Sequence, residues 1–237
     1  MSTFQGARER ARREVTAAIK DEARRRVAAE GAPRLSLRAV ARELGMASSA
    51  LYRYFPSRDD LLTALIVDAY DAMGEAAEAG LAAAPRTDPG ARWVRVCGAV
   101  RDWGLANPHE FGLVHGTPIP GYAAPRDTEQ PGVRVPLALL AVAREAHEDG
   151  LLGRPAWGVT PEPVRADTKA VAAEFAPELP EPAVAALLAA WAQLIGLVSF
   201  EVFGQYNGAI TAHEVFFAHA AHRLAVEVGV AAGPAAS

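Results

Sequence analysis

The chain has 237 residues, of which 51% are apolar and 22% charged, with a single cysteine and a formal charge of −4. That length and apolar share supply one substantial core, or a small domain beside a larger one, and exclude a disordered or disulfide-stapled chain. No run of about 18 apolar residues lacks a break or a charge, and no apolar stretch follows the first charges, so we expect no membrane span, no secretory signal and a cytoplasmic protein.

The distribution of charge says more than its sum. Residues 1–58 hold 13 Lys+Arg against 6 Asp+Glu, a balance of +7, and the remainder holds 11 against 22, a balance of −11. A basic head on an acidic body is the footprint of a protein that offers one end to phosphates. For Arg24-Arg25-Arg26 alone, an ordinary solvated helix face explains the residues equally well.

Residues 1–7 read as a loose tail. Over 8–30, Val15, Ala18, Ile19, Ala23 and Val27 recur at helical spacing opposite Arg, Glu and Lys, and Gly31 with Pro33 ends that helix. Leu37, Val40, Ala41 and Leu44 give a short second helix its apolar face, with Ser36 as cap. Gly45 stops it, and Ala47 or Ser48, the better acceptor of the two, caps a third helix that carries Leu51 and Phe55 for about two turns before Pro56. Ser57 with Asp59 and Asp60 opens a fourth helix with a cap and an acidic first turn. Two short helices meeting at a tight glycine turn form a helix-turn-helix.

The run Val40-Ala41-x-x-Leu44-Gly45-Met46, followed by Leu51-Tyr52-x-Tyr54-Phe55-x-x-Arg58-x-x-Leu61-Leu62, resembles the DNA-binding domain of TetR-family transcriptional regulators over roughly residues 8–70. The family often has Ser where Ala47 stands, Gly for Ser49, His for Tyr54 and Lys for Arg58, so an operator sequence does not carry over. The resemblance implies that double-stranded DNA is met by Ser36 and Arg38 on the supporting helix and by Ser48, Ser49, Ala50, Tyr52, Arg53 and Tyr54 on the recognition helix. Arg58 at the next helix start completes that set. The chemistry suits those places: Arg38 can fork onto a guanine or a phosphate, the serines can bond either, and the Ala50 methyl can meet a thymine methyl. Leu51 and Phe55 belong to the core, and Tyr54 stands between core packing and DNA contact.

A helix over 61–81 follows, with Leu61, Leu62, Leu65, Ile66, Ala69, Met73 and Ala77 on one stripe. After a turn at 87–90, a helix over 91–106 carries Trp93, Val96, Val100 and Trp103 until Asn107-Pro108 breaks it. Cys97 within it reads as a small buried hydrophobe. A short helical piece at 109–115 runs into a Pro- and Gly-rich loop, and Asn107-Pro108-His109-Glu110-Phe111 with Gly116-Thr117-Pro118 is similar to a segment in the ligand-binding half of one TetR subfamily. Residues 136–148 form another helix, and the proline-rich stretch 151–182 reads as a long, partly ordered excursion with one helix between Pro163 and Phe175.

The segments 183–206 and 212–228 are apolar on nearly every side, and such helices must be buried all round. We therefore expect them to pair with their copies in a homodimer as a four-helix bundle. Leu187, Trp191, Leu194, Ile195, Val198, Val202, Val215, Phe216, Ala220 and Leu224 would form the interface; the alternative is an intrachain core.

The resulting expectation is an all-α chain, with a helix-turn-helix domain over 8–58 and a helical ligand-binding and dimerisation domain over 59–231. No Gly-rich phosphate loop, HExxH or CxxC appears, and His213, His219 and His222 lack carboxylates at matching spacing apart from Glu214. No enzyme, metal site or cofactor is expected. The reading is a repressor released from a palindromic operator by a small apolar or aromatic effector. Its cavity would be lined by Met73, Trp93, Trp103, Phe111, His115, Tyr122 and Trp191, each of which could instead be core. Two other functions fit: a DNA-binding regulator or DNA-organising protein without a ligand, and a helical enzyme that kept the head.

Overall fold

The computed structural model describes residues 2–156 and 160–232, with side chains from residue 6. Residue 1 of the expected tail and residues 157–159 of the proline-rich excursion lie outside the described residues. All regular elements among them are helical: α1 (Ser2–Glu30), α2 (Leu37–Glu43), α3 (Ser48–Leu51), α4 (Arg58–Ala82), α5 (Pro89–Ala106), α6 (Pro108–His115), α7 (Glu129–Gly132), α8 (Arg134–Glu148), α9 (Glu162–Phe175), α10 (Glu181–Val202) and α11 (His213–Val228), with 3-10 turns at Ala32–Arg34 and Arg126–Thr128. The expected tail is therefore helical from Ser2, because nothing between it and Glu30 breaks the helix. The chain forms two compact units: residues to Ala69 with His109–Glu129, and Tyr70–Pro108 with the residues from Gln130 onward. The expected boundary at 58/59 falls inside the first unit, since Leu61, Leu62 and Leu65 of α4 complete its core.

In the first unit, Ile19, Ala23 and Val27 of α1 pack with Leu37, Val40, Ala41, Leu51, Phe55 and the α4 leucines. The turn between α2 and α3 is built by Gly45, whose φ of 64° is open to glycine at no steric cost. The Gly45 N–H donates to the Arg42 carbonyl and the Met46 N–H to that of Ala41, so the orphan carbonyls of α2 are closed by a Schellman motif. Ala47, not Ser48, takes the N-cap position of α3, and no side chain caps it; Ser36 likewise caps α2 by position without a side-chain bond. At α4 the capping expected of Ser57 is present: its Oγ accepts from the Asp60 N–H at 3.1 Å and donates to the Asp60 carboxylate at 2.7 Å.

In the second unit, α5 packs against α8, α10 and α11, and α10 also meets α8, α9 and α11. Trp93, Val96, Cys97 and Val100 of α5 are fully buried among them, and burial pushes the Cys97 thiol far up, which keeps it inert. Contrary to the expectation of no such segment, α10 is long and apolar enough to cross a membrane. Its environment supplies the explanation: α5, α8, α9 and α11 pack against it, so its apolar surface serves a protein core.

Arg134 at the start of α8 binds α4 through Asp71 at 2.8 Å and Glu78 at 2.8 and 2.9 Å. Gly74 makes that approach possible, because a Cβ there would lie 2.6 Å from the Arg134 Cβ. Gly74→Ala should therefore destabilise the protein by about 1–3 kcal/mol, against the roughly 1 kcal/mol that Ala gains over Gly inside a helix. Urea unfolding measures it; a variant as stable as the parent would remove close packing as the reason for glycine.

Candidate nucleic-acid interface and ligand pocket

A recognition surface needs side chains that the fold leaves unused. Ser36, Arg38, Ser48, Ser49, Tyr52 and Arg53 are exposed, with α2 packed on α3 beneath them. Leu51 and Phe55, four residues apart, are 0% and 7% exposed, while Tyr52 and Arg53 between them face solvent. Ala50 is half-buried. Two expected contacts are held by the unit itself. Tyr54 packs against the core with the Arg12 guanidinium 5.4 Å over its ring, and Arg58 donates to the Ala32 carbonyl at 2.9 Å, tying the start of α4 to the 3-10 turn.

The cations of the basic head fall into two sets. Lys20 and Arg24 both bind Asp68, Arg24 also reaches Asp21 and Glu110, and Arg25 and Arg26 both hold the buried Glu22. These residues join α1 to α4 and α6 and are engaged within the chain. The carboxylates that engage them lie up to 86 positions away, which is why the local sequence left their role open. Arg34, Arg38, Arg42 and Arg53 around the helix-turn-helix, and Arg8, Arg10, Arg12 and Arg13 on the first half of α1, have no carboxylate partner among the described residues.

The seven residues expected to line one cavity are dispersed. Phe111, His115 and Tyr122 belong to the first unit, where the 109–129 segment packs on the helix-turn-helix core through Leu113, Ile119 and Tyr122, and the Tyr122 hydroxyl hydrogen-bonds Thr63 at 3.0 Å. Met73 and Trp93 are buried in the second unit and Trp103 is half-buried there. Of the seven, only Trp191 lines the apolar pocket of that unit, a half-open space of about 210 Å³. Its walls are Val133, Pro136, Leu137 and Leu140 from the α8 side, Val171, Phe175 and Ala176 from the α9 side, and Val184, Leu187, Leu188 and Trp191 of α10. The expected excursion thus provides a wall: Val171 and Phe175, four residues apart, share a helix face. That spacing was the available signal.

Comparison with known proteins follows from this geometry. A sequence description of bacterial regulatory proteins of the tetR family matches residues 19–65, and one termed Tetracyclin repressor-like, C-terminal domain, matches residues 93–224. The chain belongs to the TetR family. It is 38% identical over 208 residues to the HTH-type transcriptional regulator Rv1816 of Mycobacterium tuberculosis, covering 85% of this chain and 86% of the relative. The solved structure of SCO4313, described as a regulatory protein, is 33% identical and superposes with a TM-score of 0.74 over 91% of this chain and 97% of its own. RolR in complex with resorcinol shares the fold at a TM-score of 0.52 and 16% identity, covering 97% and 98%.

In this TetR-family chain, α10 and α11 are two-sided. Leu187, Leu194, Val198 and Leu224, expected at a subunit interface, are buried within the chain and belong to its own core, because α5 covers that side of both helices. Trp191, Ile195, Val202 and Ala220 are half-buried, and Val215 and Phe216 are 71% and 36% exposed. Phe200 and Phe203, absent from the expected set, are also exposed, and Tyr206 gathers Phe200 and Phe216 at ring distances of 5.5 and 5.4 Å.

His115 carries a pH signature for the first unit. It stands 5.1 Å from the Phe111 ring, and burial pushes its pKa down from 6.5 to about 4. Between those values the unfolded chain holds the extra proton, so this residue's contribution to stability is intact above pH 6.5 and falls away toward pH 4. His115→Phe should flatten that part of the urea-midpoint profile, by roughly 1–3 kcal/mol at its acid end. Parallel profiles for parent and variant would contradict the burial.

Proposed function

We propose that this TetR-family chain is a cytoplasmic homodimeric repressor, without catalytic activity, that leaves a palindromic operator when a small apolar or aromatic molecule binds. The observation that carries the reading is the short α3 element, anchored by Leu51 and Phe55 while Ser48, Ser49, Tyr52 and Arg53 remain exposed. Side chains so placed can read base edges in the major groove, with Arg38 beside them for a guanine or a phosphate. Ser36, Ala50, Tyr54 and Arg58 complete the proposed contact set, the last two mainly by positioning.

Dimerisation is supported by the aromatic and aliphatic surface of α10 and α11, in which Phe200, Phe203, Val215 and Phe216 stand exposed in the single chain. A two-fold dimer would present two α3 elements to half-sites one DNA turn apart, roughly 34–36 Å. The effector reading rests on the α8–α9–α10 pocket, where the Trp191 indole is the only polar side-chain group among the lining residues. Such a lining favours an apolar molecule of about one ring, and the resorcinol bound by RolR is of that size class. The effector acts only through differential affinity for the DNA-free state; a hundredfold preference is worth about 2.7 kcal/mol. It reaches the helix-turn-helix through α4, which contributes residues to both units.

Arg38→Ala and Tyr52→Ala should each weaken operator binding by about 1–3 kcal/mol, roughly tenfold to hundredfold, with dimer mass and melting temperature unchanged. Gel-shift titration on a duplex selected from a random pool measures this, and unchanged affinity would overturn the assignment. Leu188→Trp, which fills the pocket, should leave operator binding intact and abolish release by small aromatic molecules. Persisting release would place the effector elsewhere.

A further inference from the structure

The family pattern for the helix-turn-helix begins at residue 19, yet α1 begins at Ser2, so the first half of that helix lies outside the pattern. It is rich in arginine: Arg8, Arg10, Arg12 and Arg13 against Glu9 and Glu14. At 3.6 residues per turn, Arg8 and Arg12 fall within roughly 20° of the line through Ile19, the fully buried residue that faces the core. The inward stripe of α1 is thus apolar over Val15, Ile19 and Ala23 and turns cationic where the helix outruns its core. Arg12 shows what lies there: its guanidinium stands over Tyr54, at the end of the recognition element. Arg8 continues the same stripe one turn further out.

These charges are placed unfavourably for the helix that carries them. Arg8 and Arg12 lie at i,i+4 spacing and repel each other. Arg8, Arg10, Arg12 and Arg13 have no carboxylate partner among the described residues, whereas Lys20, Arg24, Arg25 and Arg26 on the same helix are all ion-paired; Arg10 lies on the side opposite Ile19, so the stripe that continues the inward line is Arg8 and Arg12. An unpaired cationic stripe beside a DNA-reading element fits one partner chemistry, the phosphates of the duplex. We propose that Arg8 and Arg12, with Arg13 beside them, hold backbone phosphates flanking the half-site read by α3, an inference that rests on the DNA-binding reading above. Guanidinium forks match phosphate oxygens and carry no base information, so the interaction adds affinity and fixes orientation on any flank sequence.

The test uses the full-length protein and the selected operator in two lengths, one with five extra base pairs on each side and one trimmed to the half-sites. Fluorescence anisotropy is read over a salt series for the parent, the triple variant Arg8→Gln/Arg12→Gln/Arg13→Gln and Arg38→Gln. The triple variant should bind the flanked duplex at least tenfold more weakly at low salt, with a log–log salt slope shallower by roughly 0.9 for each phosphate that is no longer neutralised. On the trimmed duplex Arg8→Gln, which leaves the Arg12 contact with Tyr54 in place, should match the parent. Arg8→Gln alone, a change at an exposed position, should show the same flank-dependent weakening in smaller degree, which guards against a folding effect in the triple variant. Equal affinity and slope on the flanked duplex, with Arg38→Gln still impaired, would overturn this inference and leave the DNA-binding reading standing. A parent that selects no duplex would sink both.

Discussion

A helix of four residues cannot hold itself together in water, because nucleation fixes several dihedrals before the first hydrogen bond forms. Here α3 is that short, and it exists because Leu51 and Phe55 are anchored in a core shared by α1, α2 and the first turns of α4. Each fully buried aliphatic or aromatic side chain there is worth about 1.5–3 kcal/mol. The consequence is functional: with order supplied from beneath, the exposed residues of the element need not stabilise anything. Serine, tyrosine and arginine can occupy those positions without cost to the fold.

A similar division governs charge. Along α1 the C-terminal cations are engaged by Asp68, Glu110 and Glu22, which lash the first helix to α4 and α6 and bring the 109–129 segment onto the DNA-binding unit. These bonds are only partly buried, so each adds little stability alone, and their value lies in fixing geometry. Tyr122 with Thr63, and Leu113 and Ile119 against the core, do the same by packing. A stretch from the middle of the chain therefore belongs structurally to the N-terminal unit, so the chain passes between the units three times, once within α4 and at both ends of that stretch.

In the second unit one pair of helices carries two duties. The inward sides of α10 and α11 close the core over Trp93 and Val100, and their outward side keeps aromatic rings in solvent. An all-round apolar helix is what such a double duty requires, and composition alone cannot divide its residues between the two faces. The pocket depends on a similar sharing, since Leu187 is a core residue of α10 and a wall of the space that α9 closes.

The local pattern determined a great deal. The helix-turn-helix was legible because its signals are short-range: Gly45 between two apolar stripes, Pro56 as a stop, Ser57 and Asp60 as a cap. The helical class and nearly every helix after it followed from 3.6-residue periodicity, which the chain keeps even in the proline-rich stretch around α9. Tertiary structure alone decided what depends on distant partners. It placed Arg24 among carboxylates 44 and 86 positions away and assigned Leu194 and Leu224 to the intrachain core. It also dispersed the seven residues expected to line one cavity, of which only Trp191 borders the α8–α9–α10 space. Periodicity reports which residues leave water, but the neighbour that receives them is fixed only when helices far apart in the chain compete for the same surface.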